Sequence, residues 1–217
     1  MDIDLQAPFW SSLSMKTSLL SCILFISALQ PTARAGVFNI PEFVEYKSWA
    51  VGLEPEAILS AGPNTQTSGV GATLKFTYGI TPLSNLQFGL GEGSGSKGFR
   101  FGGTYTFDFI PDLEGQFGAG LALQSYYYKV KNASGQTEIT IYPYMHKMFT
   151  SETGYMYDPY LALPFGLAFY NGNYGSIWQL VFGNYLKVSS NFGLNLELGL
   201  NLKDTDTYLS GGVTYRD

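Results

Sequence analysis

The run Phe192-Gly193-Leu194-Asn195-Leu196-Glu197-Leu198-Gly199-Leu200-Asn201-Leu202-Lys203 alternates without a slip. Every even position is large and apolar, and every odd one is Gly, Asn, Glu or Lys. A period of two belongs to an extended strand with one oily face and one polar face. Sustained over about 11 residues, it is roughly twice the length of an average strand in a soluble protein. It matches the length that a tilted strand needs to cross a hydrocarbon layer.

The pattern recurs upstream. Val70, Ala72, Leu74, Phe76, Tyr78 and Ile80 alternate with Gly and Thr around Lys75. Phe99, Phe101, Gly103, Tyr105, Phe107 and Phe109 alternate with Arg100, Gly102, Thr104, Thr106 and Asp108, and Phe117, Ala119, Leu121 and Leu123 follow in the same way. In each ribbon the charges share the glycine face. Charged residues make up only 13 % of the chain against 45 % hydrophobic, with 26 Gly among 217 residues. A soluble β-sandwich hides its oily face and dresses the other with many Lys and Glu. Here the polar face is poor in charge and rich in Gly, which suits a narrow lumen filled by interlocking side chains. The net charge of -5 leaves no basic footprint, so no nucleic-acid partner is expected.

Ribbons are predicted at 46–59, 68–80, 84–92, 97–110, 115–130, 136–149, 155–170, 176–188, 191–203 and 206–216. The fold class is therefore all-β: an antiparallel transmembrane up-and-down β-barrel of about ten strands. Eight is the alternative if the ribbons holding Pro143, Pro159 and Pro164 are irregular, because proline donates no ladder hydrogen bond. An even number puts both termini at one rim. Tight turns at 81–85, 111–115 and 189–191 belong to that rim. Short loops around Gly62-Pro63-Asn64, 93–98, 132–135, Asn171-Gly172-Asn173 and Asp204-Thr205-Asp206 belong to the other. Aromatic belts are expected at both depths: Trp49, Tyr78, Phe109, Phe149, Tyr157, Phe192 and Tyr215 at the terminal rim, and Tyr126 to Tyr128, Tyr142, Tyr170 and Trp178 at the other.

The N-terminal region reads as an export signal. Lys16 supplies the positive charge after Met15, LLSCILFISAL is the apolar stretch, and Ala33-Arg34-Ala35 is an A-x-A cleavage site. The stretch is about half of the ~20 residues that a spanning helix needs. The expected organisation is 1–35 as upstream extension and cleaved signal peptide, 36–45 as a short periplasmic segment, and 46–217 as barrel. The one cysteine, Cys22, falls in the signal, so export does not serve a disulfide scaffold.

From residue 46 onward the chain resembles the small outer-membrane β-barrel proteins of Gram-negative bacteria, the class with OmpA-, OmpX- and OmpW-like barrels. The resemblance rests on the signal peptide, the alternating ribbons and the closing strand Tyr208-Leu209-Ser210-Gly211-Gly212-Val213-Thr214-Tyr215. It implies outer-membrane localisation, lipid partners that include lipopolysaccharide, and a C-terminal strand read by the barrel-assembly machinery. The final residue is Asp217 where the class customarily has Phe. Within the class, activity ranges over anchors, adhesins, narrow pores and lipid enzymes, so it must be argued from the site.

Unpaired charges inside a narrow barrel are costly, so the lumen-side charges should form pairs. They are Glu54, Glu56, Lys75, Arg100, Asp108, Glu138, Lys187, Glu197 and Lys203. Glu54 and Glu56 are expected against Lys75, and Arg100 against Glu197 or Glu138. The network fills the lumen in the first reading, which makes the protein a non-enzymatic barrel with a structural or surface role. In the second it forms a narrow passive pore for small solutes or ions. A lipid-modifying enzyme is third, with the lone histidine, His146, as its base. A secreted soluble β-sandwich or lipocalin-like binder is fourth. Lys97, Lys129, Lys131 and Lys203 fall near the outer rim, where they would meet lipopolysaccharide phosphates. Gly93-Ser-Gly95-Ser-Lys-Gly98 matches a dinucleotide fingerprint, but a strand follows it where a phosphate-binding helix is required. No catalytic, metal or cofactor site is assigned.

Overall fold

The computed structural model describes residues 44–60, 69–94, 98–129 and 135–217. The expected signal, most of the 36–45 segment and parts of three loops at one rim lie outside the described residues. The strands are β1 (Trp49–Ser60), β2 (Gly69–Thr81), β3 (Ser84–Gly93), β4 (Phe99–Ile110), β5 (Gly118–Lys129), β6 (Gln136–His146), β7 (Phe149–Thr150), β8 (Met156–Ala162), β9 (Phe165–Tyr170), β10 (Asn173–Lys187), β11 (Phe192–Lys203) and β12 (Thr207–Arg216). All strand pairings among the described residues are antiparallel, and β10–β11 together with β12–β1 close the sheet on itself.

The twelve segments make ten staves. Beyond His146 the chain steps aside at Lys147 and Met148 and resumes as β7, still paired with β8, while the Lys147 amide donates to the Pro159 carbonyl at 3.2 Å. β8 and β9 are two halves of one stave between β6 and β10, interrupted at Leu163-Pro164. The ladder runs through that interruption, with the Leu163 amide on the Pro143 carbonyl and the Gln179 amide on the Pro164 carbonyl, each at 3.0 Å. The irregular prolines therefore cost pairing without costing a strand, and the count is ten.

Hairpins alternate between rims. At the rim without termini, β9 and β10 are joined by Asn171 (φ 49°) and Gly172 (φ 76°), the two positive φ values of a type I′ turn. At the terminal rim, Gly115 (φ 84°) and Gly154 (φ 86°) serve the turns before β5 and β8. Strand β1 begins at Trp49, later than the expected 46. Residues 44–48 instead cross the rim, with Val44 buried, Glu45, Tyr46 and Lys47 exposed, and the Glu45 and Val44 carbonyls lying against Gly79 on the inner face of β2. Lys47, at φ 67°, makes that turn and donates its amide to the Gly79 carbonyl at 2.9 Å.

Burial is inverted relative to a soluble domain. Leu53, Leu74, Phe88, Phe101, Leu123, Phe182 and Leu196 point outward and are exposed, whereas Glu54, Lys75, Gln87, Arg100, Thr104, Gln124 and Glu197 are buried inside. On the outer face, ring contacts gather towards the two rims. Trp49 and Phe192 both pack on Tyr215, with centroids 6.0 and 5.3 Å away, at the terminal rim. Phe165 stacks on Trp178 at 5.2 Å, and Phe101 packs on Tyr127 at 5.4 Å, towards the other.

The expected belt needs one correction. Tyr126, Tyr128 and Tyr142 are buried in the lumen, Tyr170 has the inner parity of Ala168, and Tyr127 is the outward member of its run. Three tyrosines in a row occupy both faces of a strand, so composition alone does not show which of them meet lipid.

Candidate functional site

The lumen concentrates this chain's polar chemistry. Its construction follows from strand spacing: neighbours lie about 4.8 Å apart, so a side chain that reaches two strands away must span about 10 Å. Only a long side chain can do so, and only over a glycine on the strand between.

That arrangement recurs around the barrel. Asp108 (β4), Gly120 (β5) and Tyr144 (β6) form one row of register, and the Tyr144 hydroxyl donates across the glycine to Asp108 Oδ1 at 2.5 Å. Tyr160 (β8), Gly183 (β10) and Glu197 (β11) form another, with the Tyr160 hydroxyl donating to Glu197 Oε2. Tyr208 lies over Gly199 and donates to the other oxygen of Glu197. Tyr126 crosses Gly102 and brings its hydroxyl over Gly89 on β3. Arg100 extends the principle further. From β4 it passes Gly91 of β3 and Gly71 of β2 to form an ion pair with Glu56 on β1, and on the way its Nε donates to Thr73 Oγ1 at 2.8 Å.

Seven of the nine charges expected in the lumen are buried there: Glu54, Glu56, Lys75, Arg100, Asp108, Glu138 and Glu197. Lys75 pairs with Glu54, which also accepts from Asn195 Nδ2 at 2.5 Å. Glu56, expected against Lys75, is instead the residue that Arg100 reaches. Glu138 accepts from Gln136 Nε2 at 2.6 Å. Lys187 and Lys203 have the inner parity but end their strands, so Lys187 is half-buried, and Lys203 is exposed with its Nζ donating to Ser176 at 2.6 Å.

His146 lies over Gly118 between two carboxylates. Its Nε2 is 3.1 Å from Asp108 and its Nδ1 is 3.0 Å from Asp158. Of the four lysines expected at the outer rim, Lys97 and Lys131 lie outside the described residues. Lys129 and Lys203 end β5 and β11 at that rim, both exposed.

The inward tyrosines include three expected in the lipid-facing belt, Tyr126, Tyr128 and Tyr142, and four that the sequence pattern left unassigned, Tyr144, Tyr160, Tyr185 and Tyr208. Tyr126, Tyr128, Tyr142, Tyr144, Tyr160, Tyr185 and Tyr208 are all buried inside, and four of them pack with Ile58, Ala122, Ala162 and Val181 as an apolar centre. The signal was present. Tyr142 and Tyr144 share parity with Glu138, Thr140 and His146, and the even spacing puts all five on one face.

No protein-family model matches the sequence, and no curated protein matches it. Solved structures do. The β domain of a Bordetella autotransporter has a TM-score of 0.50 at 10 % identity, covering 78 % of this chain and 99 % of that one. An outer-membrane channel from Pseudomonas putida F1 has a TM-score of 0.48 at 9 % identity, covering 84 % of this chain and 100 % of that one. The fold is that of the outer-membrane β-barrels. Closure, outward apolar faces and antiparallel hairpins agree with it independently of the comparison, since a barrel leaves no backbone edge unsatisfied in lipid. Within this barrel three inward carboxylates, Glu54, Glu56 and Glu197, are held by a lysine, an arginine and two tyrosines.

Proposed function

We propose that this protein is an integral barrel of the bacterial outer membrane with a structural or surface role, and that its lumen is closed to solutes. One observation supports the closed lumen: the inward side chains are almost entirely buried and tied to one another across glycine rows. A barrel of about eight strands has room only for its own side chains, and tyrosines laid across glycines use the extra width of ten.

With termini at the periplasmic side, as in outer-membrane barrels, Lys129 and Lys203 stand at the cell surface. There they would offer charge to lipopolysaccharide phosphates, while the closing strand would be the part read by the assembly machinery. His146 serves structure in this reading, bridging Asp108 and Asp158 instead of activating a nucleophile.

Planar-bilayer recording of the purified protein tests the closed lumen. Bilayers containing the barrel are expected to stay silent at steady voltage, and a stable conductance would replace this reading with that of a narrow pore. Release of the protein from envelopes by carbonate, without detergent, would overturn the membrane assignment itself.

A further inference from the structure

Where β1, β12 and β11 run side by side, two adjacent rows of inward positions crowd oxygen atoms together. In the first, Glu54 reaches across Gly212 of β12 to Asn195 of β11, whose Nδ2 donates to Glu54 Oε1 at 2.5 Å. In the second, Ser210 of β12 stands between its two Cα partners, Glu56 on β1 and Glu197 on β11. Glu54, Glu56, Glu197 and Ser210 are all buried, none more than 4 % exposed.

Two neutral oxygens in these rows have no hydrogen-bond partner. One is Ser210 Oγ. The other is Asn195 Oδ1, which lies over Gly212, 2.7 Å from where a Cβ at that position would stand, and so beside Ser210 along β12. An amide oxygen can only accept, and the ionised carboxylates around it can only accept too. Buried polar atoms left without a partner are rare in folded proteins, and a bound water or ion is their usual explanation.

Charge decides between the two. Three carboxylates, Glu54, Glu56 and Glu197, meet two side-chain cations here, Lys75 on Glu54 and Arg100 on Glu56. Tyr160 and Tyr208, which donate to Glu197, are neutral. Counted over the described residues, the group is one positive charge short. Water would fill the hydrogen-bonding gap and leave the charge uncompensated, which is costly in a dry interior. A divalent ion would overshoot, and among the described residues no three His, Cys, Asp or Glu are arranged to hold a metal.

We infer that this part of the lumen binds one monovalent alkali cation, sodium or potassium, through Ser210 Oγ, Asn195 Oδ1 and the Glu197 carboxylate. Hard cations take oxygen ligands, and a fixed ring of protein oxygens can stand in for an ion's hydration shell. Each Glu197 oxygen keeps a second lone pair after accepting from its tyrosine. Glu54 and Glu56 remain with Lys75 and Arg100. The side chains around the site close it off, so the ion enters as the barrel forms.

The test refolds the purified protein into phosphatidylcholine vesicles in sodium, potassium or N-methyl-D-glucamine chloride at matched ionic strength, and follows urea unfolding by heat-modifiable gel mobility. An alkali salt at about ten times its dissociation constant should raise the folding equilibrium constant about elevenfold over N-methyl-D-glucamine. Glu197→Gln keeps the side-chain shape and removes the uncompensated charge, while Ser210→Ala removes a ligand. Each should abolish the gain and still give the folded band.

Equal stability in the three salts overturns the site and leaves a buried water. A gain that both substitutions retain puts the ion elsewhere in the barrel and overturns it as well. Stability that rises in acid without preference among the salts assigns the missing charge to a proton. A second measurement needs no variant: protein refolded in rubidium chloride and desalted into N-methyl-D-glucamine chloride should carry one rubidium per chain by elemental analysis, and finding none would remove the site.

Discussion

At the scale of single residues, the lumen depends on what its glycines lack. A Cβ added at Gly183 would fall inside the Tyr160 ring, and one at Gly199 inside the Tyr208 ring. Both rings are held on Glu197, so neither can swing aside without breaking a hydrogen bond to a buried carboxylate. Gly183→Ala and Gly199→Ala are each expected to destabilise the barrel by about 1–3 kcal/mol, the usual cost of overpacking. Urea titration of the folded form in vesicles measures it. Gly172→Ala is strained for a different reason, its φ of 76°, although nothing lies within 4 Å of the added methyl. The Arg100–Glu56 pair gives a sharper case. Arg100→Ala removes the ion pair of the buried Glu56 and should cost about 3–5 kcal/mol, whereas removing both partners should cost clearly less. A double-mutant cycle that showed simple additivity would mean that the two side chains are not coupled.

At the scale of elements, the staves are unequal. β2, β3, β4 and β5 pair along nearly their whole length, while the seam formed by β6, β8, β9 and β10 contains Pro143, Pro159 and Pro164. Each proline removes a donor, and the stave formed by β8 and β9 is interrupted where Pro164 sits. Local opening should therefore begin here. Hydrogen exchange followed by mass spectrometry in bicelles is expected to show faster exchange at 157–163 than at 71–77, and equal protection in the two segments would contradict it. Proline composition suggested irregularity from the outset. That the irregular ribbons still count as full staves was not legible, because the hydrogen bonds that bridge the break come from Leu163 and Gln179, on partners that only the closed sheet brings alongside.

At the scale of the whole molecule, the barrel's stability in lipid should depend on depth. Leu196 is 58 % exposed near the middle of β11, and Leu202 is 56 % exposed at its outer end. Leu196→Arg should destabilise the inserted barrel by about 2–4 kcal/mol and Leu202→Arg by about 0–1 kcal/mol. The folded fraction in vesicles, read from heat-modifiable mobility against urea, checks the difference, and equal costs at the two depths would argue that this face is not in lipid. Period two by itself determined the strand type and the face on which Glu54, Lys75 and Arg100 lie, because side-chain direction along a strand is a local property of the backbone, while the count stayed between eight and ten. It could equally have placed Tyr142, Tyr144 and Tyr160, whose parity was as readable as that of the charges. What the sequence left open was which inward residues meet. Arg100 takes Glu56 in place of Glu197 or Glu138, and Tyr160 takes Glu197, because the register of closure lines up a glycine between each pair. Lys203 has the inner parity but lies at the rim, where its strand ends. Such partners are separated by tens of residues along the chain, and their meeting is set by how far each stave is displaced against the next around the ring, a quantity that no single ribbon encodes.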